Sequence, residues 1–300
     1  MAFLRPWLTL ARPANVVTAW ADVLAGLAVA SIASPPLALV ASPADVAALL
    51  FATTGLYAGG VTLNDVFDAH LDASERPDRP IPSGKVVRRS AAIFGAALLA
   101  IGIVAAFSVN TTAGLFATFI AVAAVAYDAA GKKHPVVGPL NMGACRAGNL
   151  LMGVAAVPVA VGAYWYLAAF PLAYIAAVTA ISRGEVHGGT AGAGRLALVL
   201  VMSILLGFVA LAVRSGQTGF SLLPSLPFLL PFVGFVLPAF VRAARRRDAD
   251  SIRRAVRTGV LFLILLDASV AAGFGGLAFG VVTAALLPVS LFLARLFAVT

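Results

Sequence analysis

The chain has 300 residues, 61% of them hydrophobic and 11% charged, with a formal net charge of +9 and a mean hydropathy of +1.01. A soluble globular protein is about 45–50% apolar and about 25% charged, so these figures exclude a soluble fold. Runs of roughly 20 apolar residues recur along the chain, each long enough to cross a hydrocarbon core about 30 Å thick, and runs this continuous mean helices rather than a barrel.

The N-terminal MAFLRPWLTLARP has no short apolar core followed by a small-residue cleavage site, which reads as a retained N-terminus. Helices are predicted at about 15–33, 44–64, 90–109, 111–128, 138–160, 163–182, 195–213 and 220–241. Residues 257–297 form one long apolar stretch broken by Gly273, Gly275 and Gly276, either two crossings or one crossing with a hairpin. The fold class is therefore all-α, a polytopic membrane bundle of nine or ten transmembrane helices.

The connections alternate in charge. Loops after the first, third and fifth predicted helices hold no Lys or Arg, and the loop after the seventh holds only Arg214. On the opposite side lie 18 of the 21 basic residues, including Arg5, Arg12, Arg76, Arg79, Lys132, Lys133, Arg183, Arg195 and seven arginines from Arg242 to Arg257. The positive-inside rule places that side and the N-terminus in the cytoplasm, as in a multi-pass inner-membrane protein. The basic charge is then topological, with some attraction for anionic membrane lipid, and not a nucleic-acid surface. Cys145, the single cysteine, excludes an intramolecular disulfide and reads as packing.

The chemistry concentrates in Asn64–Gly84, NDVFDAHLDASERPDRPIPSG, at the end of the second predicted helix. Helical spacing puts Asn64, Asp65, Asp68 and Asp72 on one face, about one turn apart. Clustered carboxylates repel unless a cation joins them, and hard oxygen donors suit Mg²⁺, which is typically held by one or two carboxylates together with substrate phosphates. Arg76 and Arg79 add planar guanidinium forks matched to phosphate oxygens. Pro77, Pro80, Pro82 and Gly84 turn the chain out of the helix. The dull alternative is a solvated helix end with surface ion pairs.

This stretch resembles the first signature of the UbiA superfamily of intramembrane prenyltransferases, NDxxDxxxD followed by an RPxRPIPSG-like turn. Length and helix count are similar across essentially the whole chain. The resemblance implies a single domain over 1–300, a helical bundle around a central cavity with polar cap loops at about 65–89 and 183–195. It also implies that Asn64, Asp65, Asp68 and Asp72 hold Mg²⁺, and that Arg76 and Arg79 bind the diphosphate of a polyprenyl donor. A lipophilic or aromatic acceptor would enter from the membrane.

Other residues fall into line with that resemblance. Tyr127 and Lys132 in YDAAGKK are similar to the family's YxxxxK loop, where the Lys reaches the diphosphate; as interface anchors they would be ordinary. Asn15, in the Arg-Pro-x-Asn opening, is expected near the diphosphate end, and Asp22 shares its helix face. Asn141, Arg146 and Asn149 lie in one apolar span, where an Arg normally faces a cavity or a partner; helix–helix hydrogen bonding is the alternative. Asp267 is either a partner for Arg146 or a residue near the interface.

The second signature departs from the pattern. Where the family usually carries DxxxD, this chain has SRGEVHGGT, with Arg183, Glu185 and His187. In extended backbone Glu185 and His187 would point the same way and could share the metal; a flexible basic loop is the alternative. SRGEVHGG resembles the EboC-like branch of the superfamily. The expected function is Mg²⁺-dependent prenyl transfer, with Asp65, Asp68, Lys132 and Glu185 as catalytic residues. The alternatives are a non-catalytic carrier or scaffold and another polyprenyl-lipid transferase.

Overall fold

The computed structural model describes residues 4–33, 42–186 and 188–297. A short α1 (Arg5–Ala11) leads into α2 (Pro13–Ala33), then α3 (Pro43–Phe67) and its extension α4 (Ala69–Glu75). There follow α5 (Arg88–Val109), α6 (Thr111–Ala129), α7 (Val137–Val154), α8 (Pro158–Tyr164) and α9 (Ala169–Ser182). The chain finishes with α10 (Ala191–Val213), α11 (Ser215–Thr218), α12 (Leu222–Arg246), α13 (Ala249–Gly275), α14 (Leu277–Ala284) and α15 (Leu286–Leu296). Every regular element among the described residues is helical.

Nine passages among the described residues are long and apolar enough to cross a membrane, with α8–α9 and α14–α15 each forming one. The protein is therefore a multi-pass membrane protein. The helix α7, which carries Asn141, Arg146 and Asn149, is absent from that set. It packs instead against α2, α6 and α9 as a tenth helical passage. The long helices follow one another round a ring, α2–α3–α5–α6–α7–α9–α10–α12–α13, which closes on α2.

Local chemistry explains most element ends. Ser42 and Asp45 form a reciprocal capping box on α3, and Pro43 occupies its first turn. The helix predicted over 138–160 ends at Val154, because Pro158 opens α8 and has no N–H to continue α7. The apolar stretch 257–297 resolves into two passages, separated at Gly276, whose φ of 89° suits glycine alone. The first of them starts earlier than hydropathy suggests, at Ala249, capped by Asp248 on Ser251 N at 2.8 Å.

The ring is pinched where α2 touches α7. A Cβ on Gly26 would lie 2.2 Å from Leu150 O, and one on Gly153 2.4 Å from Val23 O. Small residues allow this backbone approach, the usual basis of helix pairing in lipid. On one side of the pinch, Tyr174, Phe208, Phe220, Phe232 and Phe240 fill the interior from α9, α10 and α12 and the turn before α12. On the other side, between α3, α6 and α7, a cavity of about 220 Å³ remains open.

Gly26→Val should therefore separate α2 from α7 and lower stability by about 3 kcal/mol or prevent folding. Gly162→Ala, whose added Cβ would meet nothing within 4 Å, should leave the unfolding temperature in detergent unchanged.

Candidate active site

The aspartate stretch begins in the last turn of α3. Asn64 and Asp65 are still in the helix, Asp68 sits at the joint with α4, and Asp72 lies in the first turn of α4. Backbone bonds Asp68 N to Asn64 O at 2.9 Å and Asp72 N to Asp68 O at 2.8 Å carry the helical spacing across the joint. The chain then folds back through RPDRPIPSG, with Gly84 at φ 73°.

Folding back lays the arginines over the carboxylates. One nitrogen of Arg79 donates to Asp72 at 2.8 Å and to Asp65 at 3.1 Å. Asp65 also accepts from Arg12 at 2.7 Å. Both Asp65 and Asp72 are only 5% exposed, so these contacts supply what water cannot. Lys132, in the short 3₁₀ turn Gly131–Lys133, pairs with Asp68. Asn64 donates to Asp128 at 2.6 Å.

The second loop meets the first at its edge. Glu185 lies 3.7 Å from Arg76, and Arg253 from the start of α13 reaches the Glu185 carbonyl at 3.5 Å. Burial pushes the Glu185 carboxyl above its ordinary pKa, while Arg76, Arg253, Arg12 and Arg79 pull it down. Glu185 thus faces cations rather than the aspartates. Arg183 points elsewhere, donating to Lys132 O at 2.8 Å and His134 O at 2.5 Å, and so pins the turn that presents Lys132. His187 lies outside the described residues.

The cavity opens beneath this network. Arg12, Asn64, Tyr127 and Asp128 line its upper end, and Thr53, Tyr57, Arg146 and Asn149 line its lower end. Arg146 forms an ion pair with Asp22 at 3.0 Å and its guanidinium lies 5.7 Å from the centre of the Tyr57 ring. Asp267 is buried beside Asp22. Asn15 is buried in the first turn of α2. Asn141 is not part of the cavity lining; its amide oxygen instead faces the Cys145 thiol at 3.7 Å.

Two residues carry more of this site than their sequence positions suggested. From sequence Arg12 reads only as a topological charge, although it opens the Arg-Pro-x-Asn stretch. Nothing in the spacing of Asp128, inside YDAAGKK, pairs it with Asn64.

No group of three or more His, Cys, Asp or Glu side chains converges as a metal site among the described residues. Asp65, Asp68, Asp72 and Glu185 are each met by a cation instead. The donor set nonetheless fits a hard ion, since Asn64, Asp65, Asp68 and Asp72 all offer oxygen. Asp65 and Asp72 also lie within 3.1 Å of one guanidinium nitrogen, so one small cation can be common to both.

A model of the UbiA prenyltransferase family matches residues 19–256. The chain is 32% identical over 279 residues to the digeranylgeranylglyceryl phosphate synthase of Methanopyrus kandleri, covering 87% of this chain and 97% of the relative. Among solved structures, one concerned with digeranylgeranylglyceryl phosphate synthase in membranes superposes with a TM-score of 0.65 at 20% identity, covering 92% of this chain and 99% of that one. A UbiA homologue from Archaeoglobus fulgidus bound to DMAPP and Mg²⁺ superposes with a TM-score of 0.53 at 17% identity, covering 93% and 99%.

Arg79→Ala should leave two buried carboxylates without their common counter-ion and cost about 3 kcal/mol in thermal unfolding. Arg76→Ala breaks only the longer, more exposed contact to Glu185 and should cost less than about 1 kcal/mol.

Proposed function

The chain belongs to the UbiA prenyltransferase family and is a membrane-embedded prenyltransferase, and from that premise we propose that it transfers a prenyl group from a polyprenyl diphosphate to a glyceryl phosphate-type lipid. The observation that carries this reading is the aspartate–arginine–lysine network at the mouth of the cavity, because it gathers phosphate-binding cations and hard oxygen donors at one point. The acceptor class is supported by the Methanopyrus relative, whose name gives a product with two geranylgeranyl groups on glyceryl phosphate. Of the two acceptor classes expected from sequence, the lipophilic one is kept and the aromatic one finds no support in that relative. The EboC-like assignment rests on SRGEVHGG alone.

In this reading the single domain spans 1–300, with caps at about 65–89 and 183–195. Its mouth and N-terminus face the cytoplasm across the inner membrane, supported by the basic residues gathered at that end. Asn64, Asp65, Asp68 and Asp72 would hold Mg²⁺, as the bound Archaeoglobus homologue suggests; Glu185, turned toward Arg76, is the weaker member of the set. When bound, the metal neutralises charge on the diphosphate leaving group.

Arg12, Arg79 and Lys132 are the counter-ions of those carboxylates, and so are placed to bind diphosphate oxygens as they develop charge. Arg183 positions Lys132 by holding its turn. Tyr127 lines the diphosphate end of the cavity, whereas Asn15 is assigned there by the resemblance of the Arg-Pro-x-Asn stretch alone. The apolar wall of Leu56, Val61, Ile120 and Ala124 keeps water from the allylic carbon while the acceptor hydroxyl attacks it.

Asp68→Ala is expected to reduce pyrophosphate release at least about 100-fold at saturating Mg²⁺. Unchanged turnover in purified protein would sink the site assignment. With the wild type, a monoprenylated glyceryl phosphate should support release where a hydroxybenzoate-type acid does not; the reverse preference would overturn the acceptor class.

A further inference from the structure

The seven arginines from Arg242 to Arg257 are not equivalent in space. Three of them, Arg242 near the end of α12 and Arg254 and Arg257 near the start of α13, line one cavity of about 350 Å³ between the two helices. Arg254 and Arg257 are three residues apart and so share a helix face. None of the three forms an ion pair among the described residues, and Arg257 spends one N–H on Ala294 O at 3.3 Å. The acids of the adjoining turn are already engaged. Asp248 accepts from Ser251 N at 2.8 Å, and Asp250 pairs with Arg253. All three arginines are exposed, which leaves their remaining donors open to a ligand.

Charge decides which headgroup chemistry this cavity takes. Its wall holds three guanidiniums and no carboxylate, and Thr258 adds a hydroxyl. Guanidinium forks match phosphate oxygens in charge and in plane. No residue lines both this cavity and the one beneath the aspartates, so a phosphate held here is not at the reaction centre.

Depth decides what the phosphate is attached to. Phe235 and Phe262 continue the wall, with ring centres 4.6 Å apart. Phe235 is seven residues before Arg242 and Phe262 five after Arg257, which sets the pair about 8–10 Å further along the helices. Both helices are long and apolar enough to cross a membrane, and the Phe235 side chain is exposed. A free phosphate ion would use the arginine end alone. An amphiphile with phosphate at one end and hydrocarbon at the other uses both, and basic pockets between membrane helices suit such headgroups. We propose that the α12–α13 groove binds the phosphate headgroup of an anionic membrane glycerophospholipid, with its chain against Phe235 and Phe262.

The test titrates the full-length protein in neutral detergent with phosphatidylglycerol, phosphatidylcholine and inorganic phosphate, and reads bound molecules by native mass spectrometry. The wild type should bind its first phosphatidylglycerol at least about tenfold more tightly than phosphatidylcholine. Arg242→Gln with Arg254→Gln and Arg257→Gln should bring the two affinities within about twofold. Arg245→Gln with Arg246→Gln and Arg247→Gln removes as many charges from the neighbouring turn and should keep the preference. Gly234→Leu fills the groove without altering charge, since a Cβ there meets nothing within 4 Å, and should weaken phosphatidylglycerol binding at least about fivefold. That variant decides should the first triple variant not fold. Equal affinities for the two lipids in the wild type, or equal losses in the two triple variants, would overturn the proposal. Displacement of the lipid by equimolar inorganic phosphate would assign the groove to a free anion and overturn it too. Asp68→Ala should retain the lipid preference, so the outcome stands apart from the reading of the reaction.

Discussion

Asp65 is a carboxylate removed from water, and such a group persists only where cations and donors replace its hydration. Two guanidiniums do so here, one from the joint before α2 and one from the loop after α4. Those segments lie far apart in sequence, so the pairings tie the start of the bundle to the cap over its cavity. Arg12 adopts φ 47° at the joint, a left-handed conformation that costs a non-glycine residue about 1–2 kcal/mol. There its backbone N–H caps α1 on Leu8 O while its side chain meets Asp65 at 2.7 Å. Arg79 extends the same logic to Asp72, and Lys132 to Asp68.

The polar groups fall into two tiers with different electrostatics. At the mouth, carboxylates and cations are balanced but separable, each held by contacts a phosphate or a metal can exchange. Deeper, Asp22, Arg146 and Asn149 are locked into one another and into the backbone of α2, with Asp267 buried beside them. The apolar wall between the tiers suits an isoprenoid chain. The close α2–α7 approach at Gly26 and Gly153 brings Arg146 within reach of Asp22, so helix packing and the floor of the cavity are one feature.

The second loop is more structural than its motif position implied. Arg183, expected at the substrate, is spent on two carbonyls of the Lys132 turn. Glu185 answers Arg76 and Arg253 rather than joining Asp65, Asp68 and Asp72. With one carboxylate where two are usual, the loop acts as a clamp between the first cap and the basic start of α13.

Hydropathy by itself determined that the chain is a bundle of membrane helices, because lipid forces backbone groups to bond within each segment. The spacing of Asn64, Asp65, Asp68 and Asp72 likewise determined that they share one face, since i, i+3 and i+4 positions coincide on any helix. The break at Gly276 and the end of α7 before Pro158 follow from residues whose backbone limits are local. What tertiary structure alone decided is which charge answers which. Arg12 with Asp65, Asn64 with Asp128 and Arg146 with Asp22 join positions 53, 64 and 124 residues apart. Their geometry depends on how helices pack, and no local pattern records it.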